Sequence, residues 1–302
     1  MVSSRTPKTG QRLLFRAAVI PYRWRMMAPL MLVLGAIVAY PLGYSLWLSL
    51  RDFEITSRND VSFVGLEQYA QLVGDEAYRT AMLNTFIFVA VAVGLELVIG
   101  LALALTLRRQ RLVRTLTRSL LLTPMFVTPI AVGLMFRFLL DDQLGLIPKL
   151  LDKVGISIDF FGPNLALLSL ALIDVWQWTP FMLLLLLAGL ESLPQQPFEA
   201  ARVDGASPWM TFTRVTLPLL RPIIVVAVLI RSLDALKVFE YVYAITQGGP
   251  GTATETIQLA IYREGFQFYR LSEAAAMAWT LVVIVMAIVV VLFWRFTREQ
   301  GQ

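Results

Sequence analysis

The 302-residue sequence contains no cysteine and no histidine. The first absence excludes disulfides, thiol nucleophiles and cysteine metal centres. The second removes the side chain that most often moves protons near neutral pH or ligates metals. Charge is also sparse, with Asp, Glu, Lys and Arg making up 16% of the chain against 57% hydrophobic residues, where a soluble domain carries about 25% charge. The Gly-x-x-x-x-Gly-Lys-Ser/Thr phosphate loop is missing, so the chain does not bind ATP by that route. Any enzymatic chemistry would rest on carboxylates, Lys, Tyr, Ser or Thr alone. Internal repeats and low-complexity linkers are absent too. What is present is a series of long apolar runs separated by short polar links.

Those runs predict an all-α polytopic membrane protein with six transmembrane helices, at 28–50, 84–107, 119–140, 165–190, 223–245 and 276–296. Each is close to the ~20 residues that cross a bilayer. Pro124 and Pro129 are expected to bend the third, and Tyr44 and Trp47 suit an interfacial aromatic belt on the first. The 51–83 link is read as a polar loop carrying Asp52, Glu54, Asp60, Glu67, Asp75 and Glu76. Segment 1–27 holds Arg5, Lys8, Arg12, Arg16, Arg23 and Arg25 with no acidic residue, and a spanning run follows it rather than the short core of a cleaved signal. Arg108, Arg109, Arg111, Arg114 and Arg118 crowd the second link, and Arg295 and Arg298 the C-terminal end. These short basic stretches fall on one side, so the positive-inside rule places both termini in the cytoplasm. The net charge of +5 thereby reads as topology rather than nucleic-acid affinity. The expected organisation is a basic cytoplasmic segment 1–27, a six-helix membrane domain 28–297 with a large loop at 191–222, and a tail 298–302.

That loop is mixed in charge yet carries helix signals. Pro197 suits a first helical turn leading into Phe198, Glu199, Ala200 and Ala201. Asp204, Gly205 and Ala206 interrupt it, and Ser207-Pro208 restarts a helix bearing Trp209, Met210 and Phe212. Leu217-Pro218 is expected to end or kink that second helix. Two short helices hinged at a glycine make either an amphipathic element on the lipid surface or a knob on which a partner docks.

Polar groups inside the spans are the other candidates, because they are costly in a bilayer and usually face protein or water. The fourth run holds Asp174, Gln177, Trp178 and Phe181 at helical spacing, with Pro180 among them. Carboxylate and amide beside aromatic rings suit a polyhydroxylated ligand; equally, they could pack a bent helix. The fifth run holds Arg231, Asp234, Lys237 and Glu240 at steps of three, which could neutralise one another along one helix side. Glu96 stands alone in the second run, expected either to bond a neighbouring helix or to be protonated. Thr246-Gln-Gly-Gly-Pro-Gly251 is a tight turn after the fifth run. An ion-coupled secondary transporter, using Asp174, Glu96 or the Arg231–Asp234 pair, is one class compatible with these residues; a membrane scaffold is another.

The spacing Glu199-Ala-Ala, three residues, Gly205, nine residues, Val215, one residue, Leu217-Pro218 resembles the signature loop of ABC-importer permeases, with Val215 where that family usually has isoleucine. Together with Trp176-x-Trp-Thr-Pro180 and Thr246-x-Gly-Gly-Pro250, it is similar to the carbohydrate-uptake branch, in particular to the larger permease of the maltose transporter without its extra N-terminal spans and periplasmic domain. The resemblance implies a type I importer fold, termini inside, in a bacterial or archaeal cytoplasmic membrane. It implies a second, unlike permease, an ATPase dimer that holds ATP and Mg, an extracytoplasmic binding protein and a carbohydrate substrate, with no cofactor or metal in this chain. Coupling to the ATPase would fall on Glu199, Ala200, Ala201, Asp204, Gly205, Ala206, Trp209, Met210, Phe212, Leu217 and Pro218. Carried over on Pro180 and on the Gly-Gly-Pro turn, the sugar-holding positions are Asp174, Gln177, Trp178, Phe181, Arg231, Ala235 and Val238. Asp234 is added because Ala235 and Val238 are apolar where that family is polar. Glycerol phosphate or another polar solute is the alternative cargo, since Arg231 suits an anion.

Overall fold

A computed structural model of the chain describes residues 22–53, 62–109 and 119–300. Arg5, Lys8, Arg12, Arg16, Glu54, Asp60, Arg111, Arg114 and Arg118 lie outside the described residues, as do the side chains of Arg295 and Arg298. The chain divides into two units, Met1–Trp47 and Leu48–Gln302.

The described part of the first unit is helical: α1 (Tyr22–Leu34), a wide π turn (Gly35–Ala39) and most of α2 (Tyr40–Ser49). The apolar helix Met26–Ser49 is long enough to cross a bilayer. Leu30, Leu32, Ile37 and Tyr40 are all more than half exposed, as suits a helix whose solvent is hydrocarbon rather than water. Tyr44 stacks on Trp47 with ring centroids 5.6 Å apart.

The second unit opens with a two-stranded antiparallel ladder, β1 (Arg51–Asp52) with β2 (Ser62–Phe63), and a short helix α3 (Glu67–Gly74). The long helix α4 (Glu76–Arg109) begins well before the second apolar run. The reading of 51–83 as loop therefore needs correction: Asp75 caps α4 by accepting from the amides of Ala77 (2.7 Å) and Tyr78 (3.4 Å), and the helix carries its polar first turns beyond the apolar stretch. Next come α5 (Ser119–Phe126) and α6 (Pro129–Leu139), meeting at 97°. Pro129 forces Thr128 into extended backbone (ψ 137°), because a residue before proline is disfavoured in the helical region. Among the described residues the first helix, α4, α8, the α10–α11 helix and α13 are five apolar helices of spanning length, and the bent pair makes six if it is one span.

A short α7 (Leu146–Asp152) precedes α8 (Ala166–Ser192), which forms the centre of the packing. Leu170, Met182, Leu183, Leu186, Leu187 and Leu190 of α8 are fully buried, and Phe88 of α4 and Leu220 join them. In a bilayer such contacts are driven by close van der Waals fit rather than by escape from water, so small residues mark the tightest crossings. A Cβ added at Gly189 would lie 2.8 Å from the Ile223 side chain.

Helices α9 (Gln196–Val203) and α10 (Pro208–Thr211) follow. Of the two expectations for Leu217-Pro218, an end to α10 is excluded and continuation into the next apolar span is what occurs: a π turn (Phe212–Thr216) leads into α11 (Leu217–Ala235), so Pro208–Ala235 is one helix of 28 residues. The wide turn, in which the Leu217 amide reaches the Phe212 carbonyl, absorbs the change of phase that Pro218 would otherwise impose. The fifth run is corrected at its other end as well. Helix α11 stops at Ala235, Leu236 and Lys237 form a turn, Val238 and Phe239 are irregular, and a helical turn resumes at Glu240 to run through the π turn Val242–Thr246. The freed Val238 carbonyl is taken by the Thr256 hydroxyl (3.3 Å). The last elements are α12 (Ile257–Tyr262), a π turn (Arg263–Gln267) and α13 (Leu271–Gln300).

The Thr246–Gly251 turn is fastened from two sides. Thr254 bonds both Thr246 (2.7 Å) and the Gly249 carbonyl (2.7 Å). The buried Asn84 amide of α4 donates to the carbonyls of Thr252 (2.9 Å) and Glu255 (3.0 Å). Asn84→Ala strands both acceptors and should cost about 2 kcal/mol, read as a lowered melting temperature in detergent with faster protease cleavage near the turn; an unchanged midpoint would contradict this anchoring role.

Candidate functional site

The second unit contains two features built from the candidate residues. One is an exposed knob, the other a cleft beside the break after α11.

The knob is α9, the Gly205 turn and α10. Gly205 has φ +70° and nothing within 4 Å of a built Cβ, so backbone conformation rather than space requires glycine there. Ser207 caps α10, its hydroxyl accepting from the Met210 amide (3.2 Å). Large apolar side chains stand in the open on this knob: Trp209 is 72% exposed and Met210 is exposed too, as is Leu217 at the start of α11. Val203, which the sequence reading did not single out, is 88% exposed. Glu199, Ala200, Asp204 and Pro218 are also at the surface, whereas Ala201 is buried and Ala206 and Phe212 are half-buried. Between the knob and the end of α4 lies a cavity of about 710 Å³, lined among others by Arg108, Phe198, Arg202, Trp209 and Phe212. The Arg108 guanidinium sits 5.0 Å from the Phe198 ring centroid, a cation–π contact that ties α9 to α4.

The cleft, of about 190 Å³, is lined by Asp174, Trp178, Arg231, Asp234, Ala235 and Val238, and also by Pro129, Lys237, Glu240 and Tyr241. Six of the eight expected substrate residues thus meet at one place. The other two do not line it. Phe181 packs edge-on against Trp178 at 6.4 Å. Gln177 is fully buried and its amide is engaged: Nε2 donates to the Val127 carbonyl (2.6 Å), which the α5–α6 break leaves without a helical donor, and Oε1 accepts from the Tyr241 hydroxyl.

Behind the cleft wall is a buried ion cluster. Arg231 is 1% exposed. Its Nε and Nη2 face the two Glu96 oxygens at 2.8 and 3.0 Å, Nη2 also donates to Asp174, and Nη1 reaches Asp234 at 3.2 Å. Glu96 and Asp174 are as buried as the arginine, whereas the Asp234 carboxylate is half exposed. Trp178 lays its ring 5.3 Å from the guanidinium. The expected ladder along one helix side is therefore overturned beyond its first step. Arg231 spends its fork across helices, on α4 and α8, and α11 ends before Lys237. Among the described residues no ion pair joins Lys237 to Asp234 or Glu240. The role of Glu96, open in the sequence, is to hold Arg231. A lone carboxyl in one apolar run and a lone guanidinium in another was the available signal.

No group of three or more potential ligands gathers to hold a metal among the described residues. The arrangement offers hydrogen-bond acceptors, an aromatic face and an amphipathic break, which suits binding rather than bond-making.

Glu96→Ala leaves the guanidinium buried without its two-oxygen partner and should destabilise the protein by about 3 kcal/mol. Asp234→Asn, at the half-exposed end, should cost less than about 1 kcal/mol. Thermal unfolding of both variants in detergent checks the order, and equal effects would contradict the geometry.

Residues 96–297 match the family described as binding-protein-dependent transport system inner membrane component. The trehalose/maltose transport system permease protein MalF of Thermococcus litoralis is 34% identical over 95% of this chain and 98% of its own. The sn-glycerol-3-phosphate transport system permease protein UgpA of Yersinia pestis is 33% identical over 95% of this chain and 96% of its own. Among solved structures, a bacterial ABC transporter involved in the import of the acidic polysaccharide alginate has the same fold, with a TM-score of 0.78 at 23% identity over 91% of this chain and 95% of that one. The chain is therefore a multi-pass membrane protein that belongs to the binding-protein-dependent transport system inner membrane component family, the permease subunits of ABC importers.

Proposed function

We propose that this chain forms half of the translocation path of an ATP-driven importer for a carbohydrate, in a bacterial or archaeal cytoplasmic membrane. The observation that carries the reading is the exposed knob at 196–212, which presents Trp209 and Met210 with no covering segment among the described residues. Apolar surface displayed this way, rimmed by Glu199 and Asp204, marks a docking face. Its occupant is the ATPase dimer, which holds ATP and Mg, and a second, unlike permease completes the pathway. An extracytoplasmic binding protein delivers the solute. The domain bounds that fit are a cytoplasmic basic segment 1–27, a permease domain 28–297 with the knob inside its 191–222 loop, and a cytoplasmic tail 298–302.

The cleft takes the solute. Asp174, Asp234 and Glu240 accept from hydroxyl groups, and the Trp178 ring supports the C–H face of a sugar. Relatives named for trehalose, maltose and glycerol phosphate transport support a small polyhydroxylated cargo. Closure of the ATPase around ATP pulls the knobs together and turns the cavity outward; hydrolysis returns it. The shift is driven only by the difference in ATPase affinity for the two states.

Purification of the tagged chain from its native membrane in mild detergent should recover a second permease and an ATPase. Gly205→Asp, strained at φ +70°, should lose the ATPase and abolish uptake while the chain still inserts. A variant that keeps both the ATPase and normal uptake would overturn the docking role, and a lone wild-type chain that still transports would overturn the importer reading.

A further inference from the structure

The cleft has a charge pattern that bears on cargo, resting on the solute-site reading above. Arginine holds phosphate, sulfonate or carboxylate groups by offering two parallel N–H donors in one plane. Arg231 is the guanidinium in this cleft, and its edges already face carboxylates. The Nε–Nη2 edge is occupied by Glu96, Nη2 is shared with Asp174, and Nη1 points at Asp234. One ring face of Trp178 lies over it. The remaining cation of the lining, Lys237, is flanked in sequence by Asp234 and Glu240. An entering solute therefore meets the carboxyls of Asp174, Asp234 and Glu240, with Glu96 behind them, against two cations of which one is already claimed.

We infer that the cleft admits an uncharged polyhydroxylated solute and turns anions away, and that Glu96 contributes to this selectivity by holding the Nε–Nη2 edge of Arg231 turned away from the cleft. Glu96 is buried and does not line the cleft. It acts through Arg231, as a positioning residue rather than a solute contact. Oxygens of Asp174 and Asp234 not used by Arg231 remain acceptors for sugar hydroxyls. The same oxygens repel a phosphate or a sulfonate, with Lys237 the cation of the lining set against them. This separates the chain from its relative named for glycerol phosphate, in which the cargo is an anion.

Collisional quenching of Trp178 reads the charge of the cleft directly. The probes are acrylamide (neutral), iodide (anionic) and caesium (cationic), applied to the full chain in an uncharged detergent. The Trp178→Phe variant supplies the background from the other tryptophans. Acrylamide and caesium should quench Trp178, with the iodide constant several-fold below that of caesium. In Glu96→Gln, which removes the charge that holds the Nε–Nη2 edge away from the cleft, the iodide constant should rise toward that of caesium while acrylamide is unchanged. Asp234→Asn, at the solvent end of the cluster, should raise it in part and serves if Glu96→Gln does not fold. Iodide quenching equal to caesium in the unsubstituted chain would overturn the inference and leave the solute site standing. Quenching unchanged in these variants would remove Glu96 and its cluster as the cause. Absence of acrylamide quenching would show Trp178 closed to solutes, overturning the site reading and the inference together.

Discussion

A guanidinium buried within the membrane-spanning helices must be neutralised where it stands, and that requirement organises the second unit. Arg231 brings Glu96 of α4 and Asp174 of α8 to one point on α11. Charges inside a bilayer are tolerated when they face protein and pair, and removing one partner leaves the other uncompensated. The cluster therefore acts less as a source of net stability than as a register pin. Sliding α4 against α8 or α11 by a turn would separate the charges, whereas apolar neighbours such as Leu183 and Leu220 could find new partners. Gln177 works beside it in the same manner, joining the α5–α6 break to the Tyr241 turn.

Helix continuity gives this pin its consequence. The knob helix α10 and Arg231 lie on a single helix, Pro208–Ala235, of 28 residues, which at 1.5 Å per residue is about 40 Å long. A displacement imposed on Trp209 or Met210 at one end is delivered to the cleft at the other without an intervening loop. The π turn at Phe212–Thr216 is what keeps the rod intact across Pro218. The rod then ends at Ala235, and the cleft forms where the backbone turns. The proposed solute cleft and the proposed docking knob thus lie at the two ends of one element.

Much of this was legible in the residues. Apolar run lengths give the spanning helices, Pro129 gives the bend, and Pro197, Gly205 and Ser207-Pro208 give both short helices and the turn between them. These features are local, set by proline sterics, glycine φ and capping. The rest was hidden because it is tertiary. Leu236 to Phe239 contains no glycine or proline, yet the helix breaks there, with Thr256, far along the chain, taking the released Val238 carbonyl. Leu217-Pro218 read as a stop or a kink, and the sequence could not choose between them because the wide turn that carries the helix past it has no sequence mark. Charges spaced by three suggested a ladder, but Arg231 prefers Glu96, 135 residues away, and Asp174, 57 away. Gln177 looked like a ligand group because its spacing shares a face with Asp174; only the broken helix opposite explains its burial.

A double-mutant cycle on Glu96→Gln and Arg231→Gln, followed by unfolding in detergent, tests the pinning claim most directly. If the buried pair sets helix register, each single change is strongly destabilising and the double variant is no worse than either one. The coupling should then equal the cost of one single change, about 3 kcal/mol, at the upper end of the range found for residues in one buried network. Additive losses, with the double variant as unstable as the sum of the singles, would mean that α4 and α11 hold their register without this pair.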